Sequence, residues 1–251
     1  MFKSKEKLIS DKISVLVTRP KKDSEAFLKN LYLKRFNFFK TSLLEIRRIT
    51  YEFDIKSHYD LVIFTSKNGL INFDCNRLRK DVEVFVIGDG TNLLAEELGI
   101  GNLYNVNGDI KILIEKIKPS LEPGLTILHP TSVIANDELK EFFGKQNCKY
   151  KPVECYNSKM TNSHPEVFEN FFKSCKDGFI TLFSSRTARS FKNEILKLGL
   201  KGNCKEKKAL VLSGSIKKEI ENLGFKEILI TKQPNEKSMI NLLKEIEKWS
   251  F

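Results

Sequence analysis

The sequence predicts an α/β protein of two similar parallel-sheet domains joined by a two-stranded linker, one of the domains being discontinuous. Three observations predict it. Short, nearly continuous apolar runs alternate with amphipathic stretches along most of the chain. The units of the second half repeat those of the first. One unit of the repeat stands out of order, at the N-terminus. Apolar runs of strand length suit parallel strands buried on both faces, and the segments that follow carry the helical period of crossover connections.

In chain order, "ISVLVTRP" ends in an X-Pro corner and precedes the helical "KKDSEAFLKNLYLKRF". "YDLVIFTS" precedes "KNGLINFDCNRL", "VEVFVIGDGT" precedes "NLLAEELG", and "NLYNVNGD" precedes "IKILIEKIK". "LTILHPTS", with a second X-Pro corner, leads into "VIANDELKEFFGKQN". The series resumes with "DGFITLFSS" before "RTARSFKNEILKLG", "KKALVLSGS" before "IKKEIENLG" and "KEILITKQP" before "NEKSMINLLKEIEKW". Two extended stretches, "LLEIRRITYE" and "YKPVECYNSK", lead into no regular helix and are candidate interdomain crossings.

The repeat orders these parts. "LVIFTSKNG" matches "ITLFSSRTA" with Phe64 on Phe183, and "FVIGDGTNLLAEELG" matches "LVLSGSIKKEIENLG" with Gly99 on Gly224. The first copy continues into "LTILHPTSVIANDELKEFF", whereas the second has no residues left for that unit. Its counterpart is the N-terminal "SVLVTRPKKDSEAFLKNLY", with Arg19 in the place of His129. The expected domains, of flavodoxin-like type, are therefore residues 1–42 with 159–251, and residues 51–149. Residues 43–50 and 150–158 are the expected linkers. Such a pair sets the carboxyl ends of its strands around a shared cleft, where α/β sheets bind ligands.

Composition narrows the function. Hydrophobic residues make up 41% of the 251 and charged residues 30%, a globular balance. The apolar runs are too short to span a membrane, and "MFKSKEKLISDK" lacks the apolar core of a secretory signal, so a cytoplasmic address is expected. The five cysteines are scattered without a C-x-x-C, which argues against a disulfide framework or a structural zinc site. A formal charge of +11 suits an anionic partner, or else reflects a lysine-rich surface. The lysines are spread along helical segments, which argues against nucleic acid.

The loops after the strands carry the chemistry. "FTSKNG" and "FSSRTA" offer hydroxyls and backbone N–H groups at helix starts, which suit carboxylate or phosphate oxygens and equally suit ordinary N-capping. "IGDGT" lacks the third glycine of a dinucleotide fingerprint, and no P-loop is present. Arg19 ends a strand, where its planar fork could take an anion or a structural ion pair. His129 stands in the equivalent place, where a lone histidine is more often structural. Tyr156, in the second crossing, could donate a proton or simply pack the linker.

Taken together, "VLVTRP", "LLEIRRI", "YDLVIFTSKNG", "VFVIGDGT", "LTILHP", "VECY", "LFSSRTA" and "TKQPNEKSMINLL" resemble uroporphyrinogen-III synthases over nearly the whole chain. The resemblance implies a cofactor-free and metal-free, monomeric lyase acting on hydroxymethylbilane, a linear tetrapyrrole with carboxylate side chains that hydroxymethylbilane synthase can hand over. Water is lost and the ring closes with inversion of ring D, through an azafulvene and a spiro-pyrrolenine. The substrate also cyclises unaided to the symmetric I isomer, so the enzyme's task is positioning and electrostatic stabilisation. The resemblance implies Tyr156 as the catalytic residue. Arg19, Ser66, Lys67, Thr91, Ser185, Arg186, Lys208 and Ser215 are the expected substrate contacts. The "LSGSI" loop departs from the family, with Ser213 in place of a glycine and Ile216 in place of a threonine. Rival readings are a two-domain ligand-binding protein of the periplasmic type and a nucleotide-sugar glycosyltransferase. The first lacks a signal peptide, and the second lacks a visible nucleotide-diphosphate site.

Overall fold

A computed structural model of the chain describes residues 12–29, 31, 35–54, 57–134, 137–161, 164–174 and 176–249. The segment read as lacking a secretory signal lies, but for its last residue, outside the described residues. The chain divides into two compact units, Met1–Leu44 with Met160–Phe251, and Glu45–Lys159.

The first unit holds β1 (Ile13–Val17), α1 (Lys21–Lys29) and β2 (Phe36–Lys40) from the N-terminal segment. After the excursion it holds α6 (Pro165–Ser174), β9 (Gly178–Leu182), α7 (Ser185–Lys197), β10 (Lys207–Val211), α8 (Gly214–Ile220), β11 (Glu227–Ile230) and α9 (Glu236–Trp249). The second unit runs β4 (Leu61–Phe64), α2 (Lys67–Asn72), β5 (Glu83–Ile87), α3 (Asp89–Glu97), β6 (Leu103–Val106), α4 (Ile110–Ile117), β7 (Thr126–Ser132), α5 (Glu138–Lys145). The chain enters it along β3 (Leu44–Arg48) and leaves along β8 (Lys149–Met160).

The first sheet has the order β11-β10-β9-β1-β2 and the second β3-β8-β7-β4-β5-β6. With the N-terminal unit moved behind its counterpart, the two orders coincide, and β3 is the one added strand. The order is that of a flavodoxin-like sheet, whose ligand crevice lies at the carboxyl ends of the two strands where the winding reverses. Those strands are β1 and β9 in the first unit, and β7 and β4 in the second. All the ladders among the doubly wound strands are parallel. The stretches read as linkers are thus neighbouring strands of the second sheet. Ile49 N–H bonds the Cys155 carbonyl while Thr161 N–H bonds that of Leu43, so β3 and β8 run antiparallel.

Both sheets are covered on both faces. In β1, Leu16 joins the core under α6, α7 and α8, whereas Ile13, Val15 and Val17 join the core under α1 and α9. Val62 and Phe64 of β4 face α2 and α3, and Leu61 and Ile63 face α4 and α5. Each large apolar side chain buried in this way stabilises the fold by roughly 1.5–3 kcal/mol. Two elements were not anticipated from sequence: β2, an edge strand with Asn37 and Lys40 among its phenylalanines, and α6, which carries the chain from β8 back to β9.

Candidate active site

In the second unit, the local chain geometry converges on Tyr156. The register of β7 on β8 pairs Thr131 with Glu154 but Ser132 with Tyr156, so Cys155 is the extra residue of a β-bulge. The bulge breaks the in–out alternation of the strand. Cys155 and Tyr156 both turn into the core beneath α2 and α3, where Tyr156 is 8% exposed. Its hydroxyl lies 3.0 Å from Ser66 Oγ.

Ser66 is held by its own helix. It is the N-cap of α2, and its Oγ accepts the Gly69 N–H at 3.4 Å. Gly69 in turn lets α2 lie against β7. A Cβ at Gly69 would stand 2.8 Å from the Pro130 carbonyl oxygen and 3.2 Å from the Phe64 ring. Beside this pair, Thr65 Oγ1 is 3.1 Å from His129 Nε2, and His129 Nδ1 is 2.6 Å from the Tyr150 hydroxyl. His129 is buried, and burial pushes its pKa down to about 4, so it is a neutral bridge between β4 and β8. Burial also pushes the Tyr150 phenol above its ordinary range and the Cys155 thiol up to about 11. The thiol is therefore inert at neutral pH.

Lys67 crosses the start of α3. A Cβ at Gly90 would meet Lys67 Cε at 2.5 Å and Nζ at 2.9 Å, so the bare glycine gives the lysine its path. Thr91 follows, buried in the first turn, after Gly88 at a φ of 84°. Ser66, Lys67, Thr91 and Tyr156 thus gather at the carboxyl ends of β4, β5 and β7, Tyr156 lying within β8 opposite Ser132, the last residue of β7.

The first unit repeats the plan with altered parts. Ser184, not Ser185, caps α7, accepting the Thr187 N–H at 3.1 Å, so Ser184 is the structural equivalent of Ser66. The match of Phe64 to Phe183 is one residue out of register: fully buried Leu182 takes the place of Phe64, while Phe183 is only partly buried. The signal for this was the cap itself, a serine three residues before a helical N–H. Ser185 and Arg186 are the first residues of α7. Arg19 lies 4.3 Å above the Phe183 ring, is hydrogen-bonded to Glu236, and sits 3.8 Å from Asp23. Its guanidinium therefore already has carboxylate partners at the end of β1.

The Gly88 and Thr91 positions are filled by Ser213 and Ile216. Ser213 caps α8 in an extended conformation at a φ of −155°, bonds Ser215 Oγ at 2.8 Å, and Ile216 is buried. This loop is an ordinary helix start rather than an open glycine turn. Lys208 stands apart. It is the second residue of β10, at the amino end, and pairs with Glu227 at 2.8 Å.

The family model described as uroporphyrinogen-III synthase HemD matches residues 28–241. Among solved structures, uroporphyrinogen-III synthetase from Helicobacter pylori 26695 superposes with a TM-score of 0.63 at 13% identity, covering 93% of this chain and 99% of that one. A mutant uroporphyrinogen III synthase from the extremely thermophilic bacterium Thermus thermophilus gives 0.57 at 12% identity, covering 94% and 99%. No curated protein sequence matches the chain. These comparisons do not favour the binding-protein or glycosyltransferase readings. The chain belongs to the uroporphyrinogen-III synthase family.

Proposed function

We infer that the chain closes hydroxymethylbilane, with loss of water and inversion of ring D, to give uroporphyrinogen III. The observation that carries this reading is the family match across residues 28–241. The mechanism rests on the Tyr156–Ser66 pair.

Tyr156 gives its phenolic proton to the terminal hydroxyl, the C–O bond breaks, and water leaves as the pyrrole nitrogen lone pair forms the N-protonated azafulvene cation, paired in charge with the phenolate. Ser66 supports this step. Its oxygen already accepts the Gly69 N–H, and its own O–H is placed to donate to the phenolate oxygen as charge develops there. The proton released when the macrocycle regains its aromatic pyrroles restores the phenol. Because ring closure to the I isomer needs no enzyme, selectivity comes from holding the chain while ring D reacts at its substituted carbon.

The donors suited to substrate carboxylates are, within the second unit, Lys67 and Thr91 and, within the first, Arg19, Ser185, Arg186 and Ser215. For Arg19 to serve, a substrate carboxylate must displace Glu236. Lys208, at the far end of β10, is left out of this set. The excess of 43 Lys+Arg over 32 Asp+Glu supports an octacarboxylate substrate. Among the described residues no helix is long and apolar enough to cross a membrane. A cytoplasmic monomer that receives its substrate from hydroxymethylbilane synthase completes the proposal.

The test is Tyr156→Phe in a coupled assay that generates hydroxymethylbilane in place. The variant should slow type III formation by about 10²-fold, the lower range for loss of a positioned acid, with KM little changed. An unchanged rate removes Tyr156 from the acid role.

A further inference from the structure

A cavity of about 460 Å³ in the second unit lies beside β3 and is lined by Arg48, Ile49, Thr50, Tyr51, Asp74 and Arg77, neither Tyr156 nor Ser66 being among its lining residues. Its walls are fixed. Ile49 N–H bonds the Cys155 carbonyl at 3.1 Å, Tyr51 stacks on Phe73 with centroids 5.5 Å apart, and the Tyr51 hydroxyl accepts the Asp74 N–H at 2.8 Å. The Arg77 guanidinium lies 5.3 Å over the Phe53 ring. Among the described residues neither Arg48 nor Arg77 has a carboxylate within 4.0 Å, unlike Arg19, Arg47, Arg79 and Arg189. The lone acid of the lining, Asp74, makes no side-chain capping bond.

Two guanidiniums at one preformed hollow, with no carboxylate within 4.0 Å of either among the described residues and a hydroxyl-bearing threonine beside them, suit an anion with more than one carboxylate. We propose that this cavity is a polycarboxylate-binding site in which Arg48 and Arg77 each take one carboxylate. The same chemistry has two sources. One is the acidic side chains of the tetrapyrrole, and this alternative rests on the function proposed above. The other is a free di- or tricarboxylate.

The experiment measures binding of citrate by calorimetry and of uroporphyrin I by porphyrin fluorescence, on the full chain. Variants are Arg48→Gln with Arg77→Gln, Asp74→Asn, and, as a control for net charge, Lys111→Gln with Lys140→Gln on exposed faces of α4 and α5. Removing both arginines should weaken binding by about tenfold or more, and Asp74→Asn should tighten it, with thermal melting unchanged. Weakened porphyrin binding, with or without citrate binding, assigns the site to the tetrapyrrole. Weakened citrate binding alone assigns it to a free polycarboxylate. The proposal is overturned if the double arginine variant binds both probes like the parent, or if the lysine control weakens them equally. Failure to make type III product would end the functional reading, while the citrate measurement would still decide the cavity.

Discussion

His129 offers a direct test of the packing argument. Its imidazole is 3% exposed and spans Thr65 and Tyr150. Burial lowers its pKa from 6.5 to about 4. Between those two values the unfolded chain binds a proton that the folded chain refuses, so stability rises with pH in that window. The contribution is fully present above pH 6.5 and is lost as pH falls toward 4. For one such group the loss is about 2 kcal/mol at pH 5 and about 3 kcal/mol at pH 4. Urea unfolding followed by far-ultraviolet circular dichroism at pH 7 and pH 5 measures it, for the parent and for His129→Asn. Asparagine keeps a polar group near Tyr150 but cannot titrate, so the acid-induced loss should shrink by about 2 kcal/mol in the variant. Equal losses in the two proteins would refute a buried, neutral His129.

Two further substitutions probe the frame of the site. Gly69→Ala forces a methyl against the Pro130 carbonyl. It should cost about 1–3 kcal/mol in urea unfolding and also lower type III formation by moving Ser66 from Tyr156. In the first unit, Ser184→Ala should cost about 1 kcal/mol as a lost N-cap, whereas Ser185→Ala should stay within about 0.5 kcal/mol. The reverse ranking would restore the register that matches Phe64 to Phe183.

The architecture was legible because burial on both faces writes itself as apolar runs. β1, for example, is buried at all five positions. The N-terminal unit supplies the central strand β1, the counterpart of β7, but only β1 stops before its X-Pro corner, since β7 runs on through Pro130 to Ser132. β2 was not legible, because Asn37 and Lys40 interrupt its phenylalanines at the sheet edge, whereas α6 was overlooked although Phe168, Phe171 and Phe172 stand at the i, i+3, i+4 spacing of an amphipathic helix. Gly99 and Gly224 matched correctly, both ending their helical turns with a left-handed φ of 71° and 74°. The Ser66 and Ser184 loops did not, since Phe64 ends β4 whereas Phe183 follows β9, a shift of one residue that the caps reveal. Tyr156 could be chosen from its motif, but its orientation depends on the bulge at Cys155, which is set by pairing with β7 and has no local signature. Arg19 and Lys208 show the converse limit. Their carboxylate partners, Glu236 and Glu227, are distant in sequence or on a neighbouring strand.

Ring closure of hydroxymethylbilane to one isomer is what this chain must direct if it acts as its family does. Hydroxymethylbilane is generated by its synthase, the purified chain is added, the product is oxidised, and the ratio of type III to type I uroporphyrin is measured. Type III in excess is expected. Type I alone, from folded protein, would contradict it.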